Sequence, residues 1–426
     1  MAFFQQRNIL TAIEIGTSKA CVLVGELDEE GIVSIIGHGE KALSGAVRKG
    51  EIIDMETVSD VLFNAVTDAE KTSGINIDNS SVYVAVTGSH INSQQSNGSV
   101  IITGEDNNIT GDHVAKATEN AKFLPLLPGN SVINYFDSYY LIDGKRRLAN
   151  PVGHVAHKLD AYVHIIYGDQ NRIENFKSIV NEIGIEVQVE PVFSAVASAY
   201  GALSDEEDKQ GVLLVEMGAG TTEFMILKDS GVRHSGVIAV GCDHIANDLS
   251  LGLDISFSSA ADLLISKDYD HNKNAGKAFI ELSGTIQESH RKIPLASIDK
   301  IIDSRLRELA QIIYDKLNES NLISELTMGV VLSGGGALLS LTPDVFNTVF
   351  STPVRIAKPT GIIGPANFES PRYTTVCGLL KCGLILKEAE RANRESGLLA
   401  RTSYIVSRTL SPVIKTVKDI RESIKF

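Results

Sequence analysis

Two stretches of this chain set a carboxylate just ahead of a glycine and hydroxyls, between apolar runs. One is Glu14, Ile15, Gly16, Thr17, Ser18 and Lys19; the other is Glu216, Met217, Gly218, Ala219, Gly220, Thr221, Thr222 and Glu223. Turns built from small residues let backbone N–H groups face an anion, because no side chain blocks its approach. The threonines and Ser18 add hydroxyl donors. Glu14 and Glu216 stand beside the turns, where a hydrated divalent cation can sit. A third stretch, Gly334, Gly335, Gly336 and Ala337, follows the apolar run from Val330 and precedes an expected helix. It lets backbone lie flat against a nucleoside and aims a helix N-terminus at the ligand. One glycine-rich turn is commonplace; three in this order read as a clamp for one nucleotide, with a divalent cation such as Mg2+ held through water.

The flanking residues supply the elements that position these turns. Residues 9–39 read as three consecutive strands, with turns at 16–18 and 28–31. Asp54 caps a helix from Met55 to about Lys71, and strand Ser81–Thr87 follows. Residues 88–165 break the pattern with short strands, a helix near Asp112–Phe123 and proline-marked turns, so they read as an inserted α+β module. Beyond it come helix Asp169–Ile183, strand Ile185–Val189 and the Ala- and Ser-rich helix Ser194–Leu203, which can pack closely behind a nucleotide. Strand Gly236–Val240, a helix opening at Gly241, and helices Ser259–Lys267 and Ile298–Asn318 complete the second half.

Composition sets bounds. The chain has 426 residues, 43% hydrophobic and 22% charged, enough for two large domains. No run of 18 or more apolar residues occurs, so no membrane-spanning helix is expected. The first residues lack the basic-then-apolar order of a signal peptide. Cys21, Cys242, Cys377 and Cys382 have no C-x-x-C spacing and are expected to be core thiols of a cytosolic protein. The net charge of −14 argues against nucleic acid as a partner.

Taken together, Glu14–Lys19, Ser81–Gly88, Asn150–Gly153, Gly211–Glu223, Gly334–Ala337, Tyr373–Leu380 and the C-terminal segment resemble the actin, Hsp70 and sugar-kinase superfamily. Within it they resemble most the bacterial cell-division family FtsA, over nearly the whole chain. The resemblance implies an α/β, actin-like (ribonuclease H-like) two-domain fold with an inserted α+β subdomain and a C-terminal amphipathic helix. It divides the chain into subdomain 1A (1–87, returning at 166–193 and 361–386), insert 1C (88–165) and subdomain 2A (194–257, returning at 326–360). Subdomain 2B (258–325), a linker (387–409) and a membrane-targeting helix (410–426) complete it. It places Asp262 near the adenosine, with Lys267 later than the family pattern expects. It also places the C-terminal tail of the tubulin-like ring protein FtsZ on Arg305, Arg307 and Glu308, with Leu306 as an apolar neighbour. The insert would serve self-association into filaments and the recruitment of later divisome proteins.

The C-terminal segment carries its own physical argument. Ser411 and Pro412 open a helix in which Val413, Ile414, Val417, Ile420 and Ile424 recur at three- and four-residue steps, with Leu410 just before. Lys415, Lys418, Arg421 and Lys425 take the other faces. Residues 401–426 hold six basic and two acidic residues, so this end carries +4 and the first 400 residues carry −18. A basic amphipathic helix set apart from an acidic body is the pattern of an interfacial anchor on anionic lipid. With the family resemblance, this implies a peripheral protein on the cytoplasmic face of the inner membrane at the division site. Glutamate at 14, 216 and 223 replaces the aspartates usual in the superfamily, which predicts ATP binding with slow or no hydrolysis. Two further readings compete, a phosphotransferase of the sugar-kinase type and the actin-like adaptor of type IV pilus assembly.

Overall fold

The computed structural model describes residues 8–28, 32–103, 106–265, 278–283 and 290–396. The first lobe starts with β1 (Asn8–Ile15), β2 (Lys19–Leu27) and β3 (Val33–Ala42), apolar strands paired antiparallel in sequence order. A small hairpin, β4 (Val47–Arg48) and β5 (Glu51–Ile52), leads to α1 (Met55–Ser73). Asp54 accepts from the Thr57 N–H and so caps this helix as expected. Helix α1 lies directly on β3: a Cβ at Gly39 would fall 1.9 Å from the Ala65 carbonyl oxygen, so only glycine fits there. Strand β6 (Ser81–Val86) then joins β1 in parallel.

The insert builds its own sheet from β7 (Asn92–Ile101), β8 (Asn130–Ile142), β9 (Arg146–Leu148) and β10 (Lys158–Asp169), in the order β7-β10-β8-β9. Helix α2 (Gly111–Lys122) covers one face and closes a separate apolar core around Ile109, Ala117, Leu159 and Val163. Helix α3 (Gln170–Glu182) returns the chain to β11 (Val189–Phe193), which pairs with β6 at the edge of the first sheet. The sequence pattern placed a strand at 185–189 instead. Pro191 discourages a strand reading, yet an edge strand tolerates proline because one side of its ladder is empty. The short helix α5 (Asp205–Gln210), begun by a Ser204–Glu207 capping box, follows α4 (Ser194–Ala202) and was not expected.

The second lobe repeats the plan of the first. Strands β12 (Val212–Met217), β13 (Thr222–Lys228) and β14 (Gly231–Ile238) are antiparallel in order. After α6 (Cys242–Leu253), α7 (Phe257–Ile265), the hairpin β15 (Phe279–Ser283) and β16 (His290–Pro294), and α8 (Leu295–Glu319), strand β17 (Val330–Ser333) joins β12 in parallel. Helix α9 (Thr342–Phe350) and β18 (Val354–Ile356) complete this sheet. Thus β1 and β12 hold equivalent places, each with an antiparallel hairpin partner on one side and a parallel strand on the other.

The chain then recrosses, adds β19 (Ile362–Ile363) to β3, and ends in α10 (Thr374–Ser396). Helices α4 and α10 meet backbone to backbone: a Cβ at Gly378 would sit 1.7 Å from the Ala197 carbonyl oxygen, and one at Gly201 would sit 2.2 Å from that of Thr374. Helix α10 runs on to Ser396, into the segment expected to be a linker from 387. Its Ala-, Glu- and Arg-rich sequence there favours helix and contains no glycine or proline to end it. The rest of that linker and the expected membrane helix, 410–426, lie outside the described residues. Among the described residues no helix is long and apolar enough to cross a membrane.

Candidate functional site

The two lobes face each other across a cleft of about 450 Å³. Its floor is made by the β1–β2 and β12–β13 turns, which are closed in the same way. Gly16 N–H donates to the Lys19 carbonyl oxygen at 2.9 Å, and Gly218 N–H donates to that of Thr221 at 2.9 Å. The turns also touch each other. A Cβ at Gly220 would lie 2.5 Å from Thr17 Oγ1 and 2.9 Å from the Lys49 amide nitrogen, so glycine is what lets the lobes close.

Gly334 has φ +79°, and its N–H donates to the Pro371 carbonyl oxygen at 3.0 Å. A side chain there would strike the Met217 carbonyl oxygen at 2.4 Å, whereas Gly335 meets nothing within 4 Å and opens onto the cleft. Gly334 thus lies against the end of β12. The glycines do not lead straight into the expected helix. A single 3-10 turn, Gly335–Leu338, intervenes, and α9 starts only at Thr342.

Of the residues singled out in the sequence, Glu14, Gly16, Thr17, Ser18, Lys19, Glu216, Gly218, Ala219, Gly220, Thr221, Gly334, Gly335 and Gly336 line the cleft. Thr222 does not: it is buried and donates to the Val240 carbonyl oxygen at 2.8 Å. Ala337 packs into the second lobe's core. Asp262 points to solvent, while Ala261, Leu264 and Ile265 of the same helix face the cleft. Lys267 lies outside the described residues. Sequence reasoning overlooked Thr87, Ser194, Asp243 and Arg372, all on the cleft wall. Thr87 lies within the Ser81–Gly88 stretch already singled out, and Arg372 directly precedes the Tyr373 motif.

Three glutamates share the cleft. Glu223, 1% exposed, accepts from the hydroxyls of Thr87 and Ser194. Burial raises its pKa and outweighs those two bonds. Burial also lifts Glu216 well above the usual range, reinforced by Glu223 and Glu14. Glu14 is raised by burial against the opposing pull of Lys19, and its Oε2 is shielded without a hydrogen-bond partner.

The sequence model described as Cell division protein FtsA matches residues 213–378, and that of the SHS2 domain inserted in FtsA matches residues 88–167. The cell division protein FtsA of Borreliella burgdorferi is 30% identical over 410 residues, covering 94% of this chain and 97% of its own. The chain belongs to the FtsA family of cell division proteins. Among solved structures, the type IV pilus complex PilM–PilN aligns with a TM-score of 0.62 at 12% identity, covering 88% of this chain and 98% of the other. MreB5 of Spiroplasma citri bound to ADP aligns at 0.53 and 16%, covering 92% and 100%. The fold of this FtsA-family chain is therefore actin-like.

The α8 face that the FtsA resemblance assigns to a partner is already paired within the chain. Arg305 grips Asp248 of α6 through Nε at 2.6 Å and Nη2 at 2.9 Å, and its Nη1 reaches Glu308. Arg307 bonds Asp303 one turn back at 2.7 Å. Leu306 is fully buried in the core, so it is not an apolar contact for a partner. Leu410, Val413, Ile414, Lys415, Val417, Lys418, Ile420, Arg421, Ile424 and Lys425 lie outside the described residues.

Proposed function

We propose that the chain binds ATP with magnesium in this cleft, assembles into actin-like filaments on the cytoplasmic face of the inner membrane, and tethers the FtsZ ring there. The observation that carries the nucleotide reading is the meeting of two equivalent turns, one from each lobe, at Gly220 and Thr17 over a single cleft. The ADP bound to MreB5, which shares the fold, agrees with it.

Among the described residues no three His, Cys, Asp or Glu side chains are arranged to hold a metal by themselves. That suits magnesium, which keeps several waters and takes further oxygens from phosphates. The partnerless Oε2 of Glu14 and the carboxylate of Glu216 would accept from those waters. Bound magnesium would offset the charge gathered in the cleft.

Membrane attachment rests on the segment Leu410–Phe426, and ring attachment on the α8 surface around Arg305, Arg307 and Glu308. Later divisome proteins are assigned to the insert, and the domain divisions of the family pattern are adopted with α10 extended. Hydrolysis is expected to be slow: glutamate stands where the superfamily has aspartate, and Glu223 is engaged by Thr87 and Ser194.

The test is co-sedimentation with anionic vesicles and MgATP, comparing the full chain with one ending at Ser407. Pelleting of the full chain alone is the expected result. If neither pellets, the segment does not anchor the chain by itself, and attachment through a membrane-bound partner becomes the better account.

A further inference from the structure

We infer that Arg372 is the side chain that meets the phosphates of the bound nucleotide, and that Glu40 aims it. This rests on the nucleotide reading of the cleft. Among the described residues of the cleft wall, Lys19 and Arg372 are the only basic ones. Lys19 was the sequence's candidate, but it is committed elsewhere. Its Nζ donates to Glu40 Oε2 at 3.0 Å and to the Arg372 carbonyl oxygen at 3.3 Å. It also lies 4.1 Å from the centre of the Tyr373 ring, and the residue is only 9% exposed.

Arg372 is differently placed. Its Nη2 donates to Glu40 Oε1 at 3.2 Å, while Nε and Nη1 have no hydrogen-bond partner among the described residues. Its side chain is 43% exposed, so a ligand can reach it. Held at one corner by that single bond and set 5.3 Å from the centre of the Tyr373 ring, the guanidinium keeps its Nε and Nη1 donors for a phosphate.

The backbone is fixed as well. The Pro371 carbonyl oxygen accepts from Gly334 and the Arg372 carbonyl oxygen accepts from Lys19, which ties the residue to both the glycine turn and the first phosphate turn. Glu40 stays ionised. Burial pulls its pKa upward, but the charge and hydrogen bond of Lys19, with Arg372 and the Tyr373 hydroxyl, more than offset this and hold it below the ordinary range. A triphosphate entering a cleft that already holds Glu14, Glu216 and Glu223 needs fixed positive charge besides its metal. Arg372 has the donors to supply it.

The experiment is calorimetric titration of the full chain with AMP, MgADP and MgATP, for wild type, Arg372→Gln, Arg372→Lys and Glu40→Gln. Arg372→Gln is expected to lower MgATP affinity about 10- to 100-fold. The loss should be smaller for MgADP and smallest for AMP. Arg372→Lys should recover part of it, restoring charge without the fork. Glu40→Gln should give the same rising pattern at smaller size, because the arginine is kept but no longer aimed. Unchanged MgATP affinity in Arg372→Gln, or an equal loss for AMP and MgATP, would overturn the assignment while leaving nucleotide binding intact. If wild type binds none of the three, the nucleotide reading fails and the assignment falls with it. Should Arg372→Gln not fold, the lysine and Glu40 variants decide by the same dependence on phosphate number.

Discussion

Glu223 of the second lobe accepts a hydrogen bond from Thr87 of the first, and its other oxygen accepts one from Ser194 at the start of α4. One carboxylate therefore ties the lobes together at the cleft. Its raised pKa has a definite consequence for stability. A carboxyl whose folded pKa is raised stabilises the fold fully below its unfolded value of about 4.3, and that contribution is lost as pH rises through the folded value. Glutamine mimics the protonated form. Melting of nucleotide-free Glu223→Gln between pH 5 and 8.5 should therefore show a shallower fall in stability with pH than wild type. An identical pH profile would show that Glu223 is not held in this way.

Gly220 and Gly335 separate closure from occupancy. A methyl at Gly220 collides with Thr17 and Lys49, so Gly220→Ala should hold the turns apart and weaken ATP binding at least 10-fold, a loss of about 1.4 kcal/mol or more. A methyl at Gly335 meets nothing within 4 Å among the described residues. Gly335→Ala should leave stability within about 0.5 kcal/mol, so reduced nucleotide affinity there would report direct contact with the ligand. Denaturant titration and equilibrium binding on both variants decide.

Much of this site was legible in the sequence, because a turn needing close backbone approach leaves its mark as Gly16, Gly218, Gly220 and Gly334. What stayed hidden depended on distance in the chain. Arg372 gains its meaning from Glu40, and Ser194 from Glu223; no local pattern announces a partner that only folding brings near. The reverse also occurred. Thr222 repeats the hydroxyl of Thr221, yet strand alternation turns it away from the cleft. Asp262 was placed by resemblance alone, and the turn of its helix carries it to solvent.

The insert is fastened to the second lobe through Arg233, whose side chain is 2% exposed. It bonds the Ser138 carbonyl oxygen of β8 and pairs with Asp229 at 2.5 Å. Arg233→Ala leaves those acceptors without their donor and should destabilise the chain by about 1–3 kcal/mol in urea unfolding. Arg233→Lys should recover little, because an ammonium cannot span both positions as the planar fork does. Full recovery by lysine would reduce the contact to simple charge.

The two arginines of α8 should behave differently toward an acidic FtsZ-tail peptide. Arg305 is built into the lobe by its two-point grip on Asp248, so Arg305→Ala should lower stability as well as binding. Among the described residues Arg307 pairs only with Asp303 of its own helix, on an exposed face. Such pairs contribute about 0.3–0.5 kcal/mol, so its charge is easily traded to a partner. Arg307→Glu should abolish peptide binding with an unchanged melting curve. Retained affinity would move the tail's site off this surface.

Anchoring by the C-terminal segment should respond to charge and apolar area separately. Each basic residue near an anionic surface contributes about 1 kcal/mol, so Lys415→Gln with Lys418→Gln should weaken vesicle binding about 30-fold. That loss should shrink as salt shortens the range of the field. Val417→Ser with Ile420→Ser removes aliphatic burial instead, and its effect should persist at high salt. A single segment binds reversibly, whereas filaments present many copies, so MgATP should strengthen binding of the full chain through avidity if it promotes assembly. Sedimentation across a salt series distinguishes these. Equal salt dependence for both pairs of substitutions would mean the segment does not lie at the interface as an amphipathic helix.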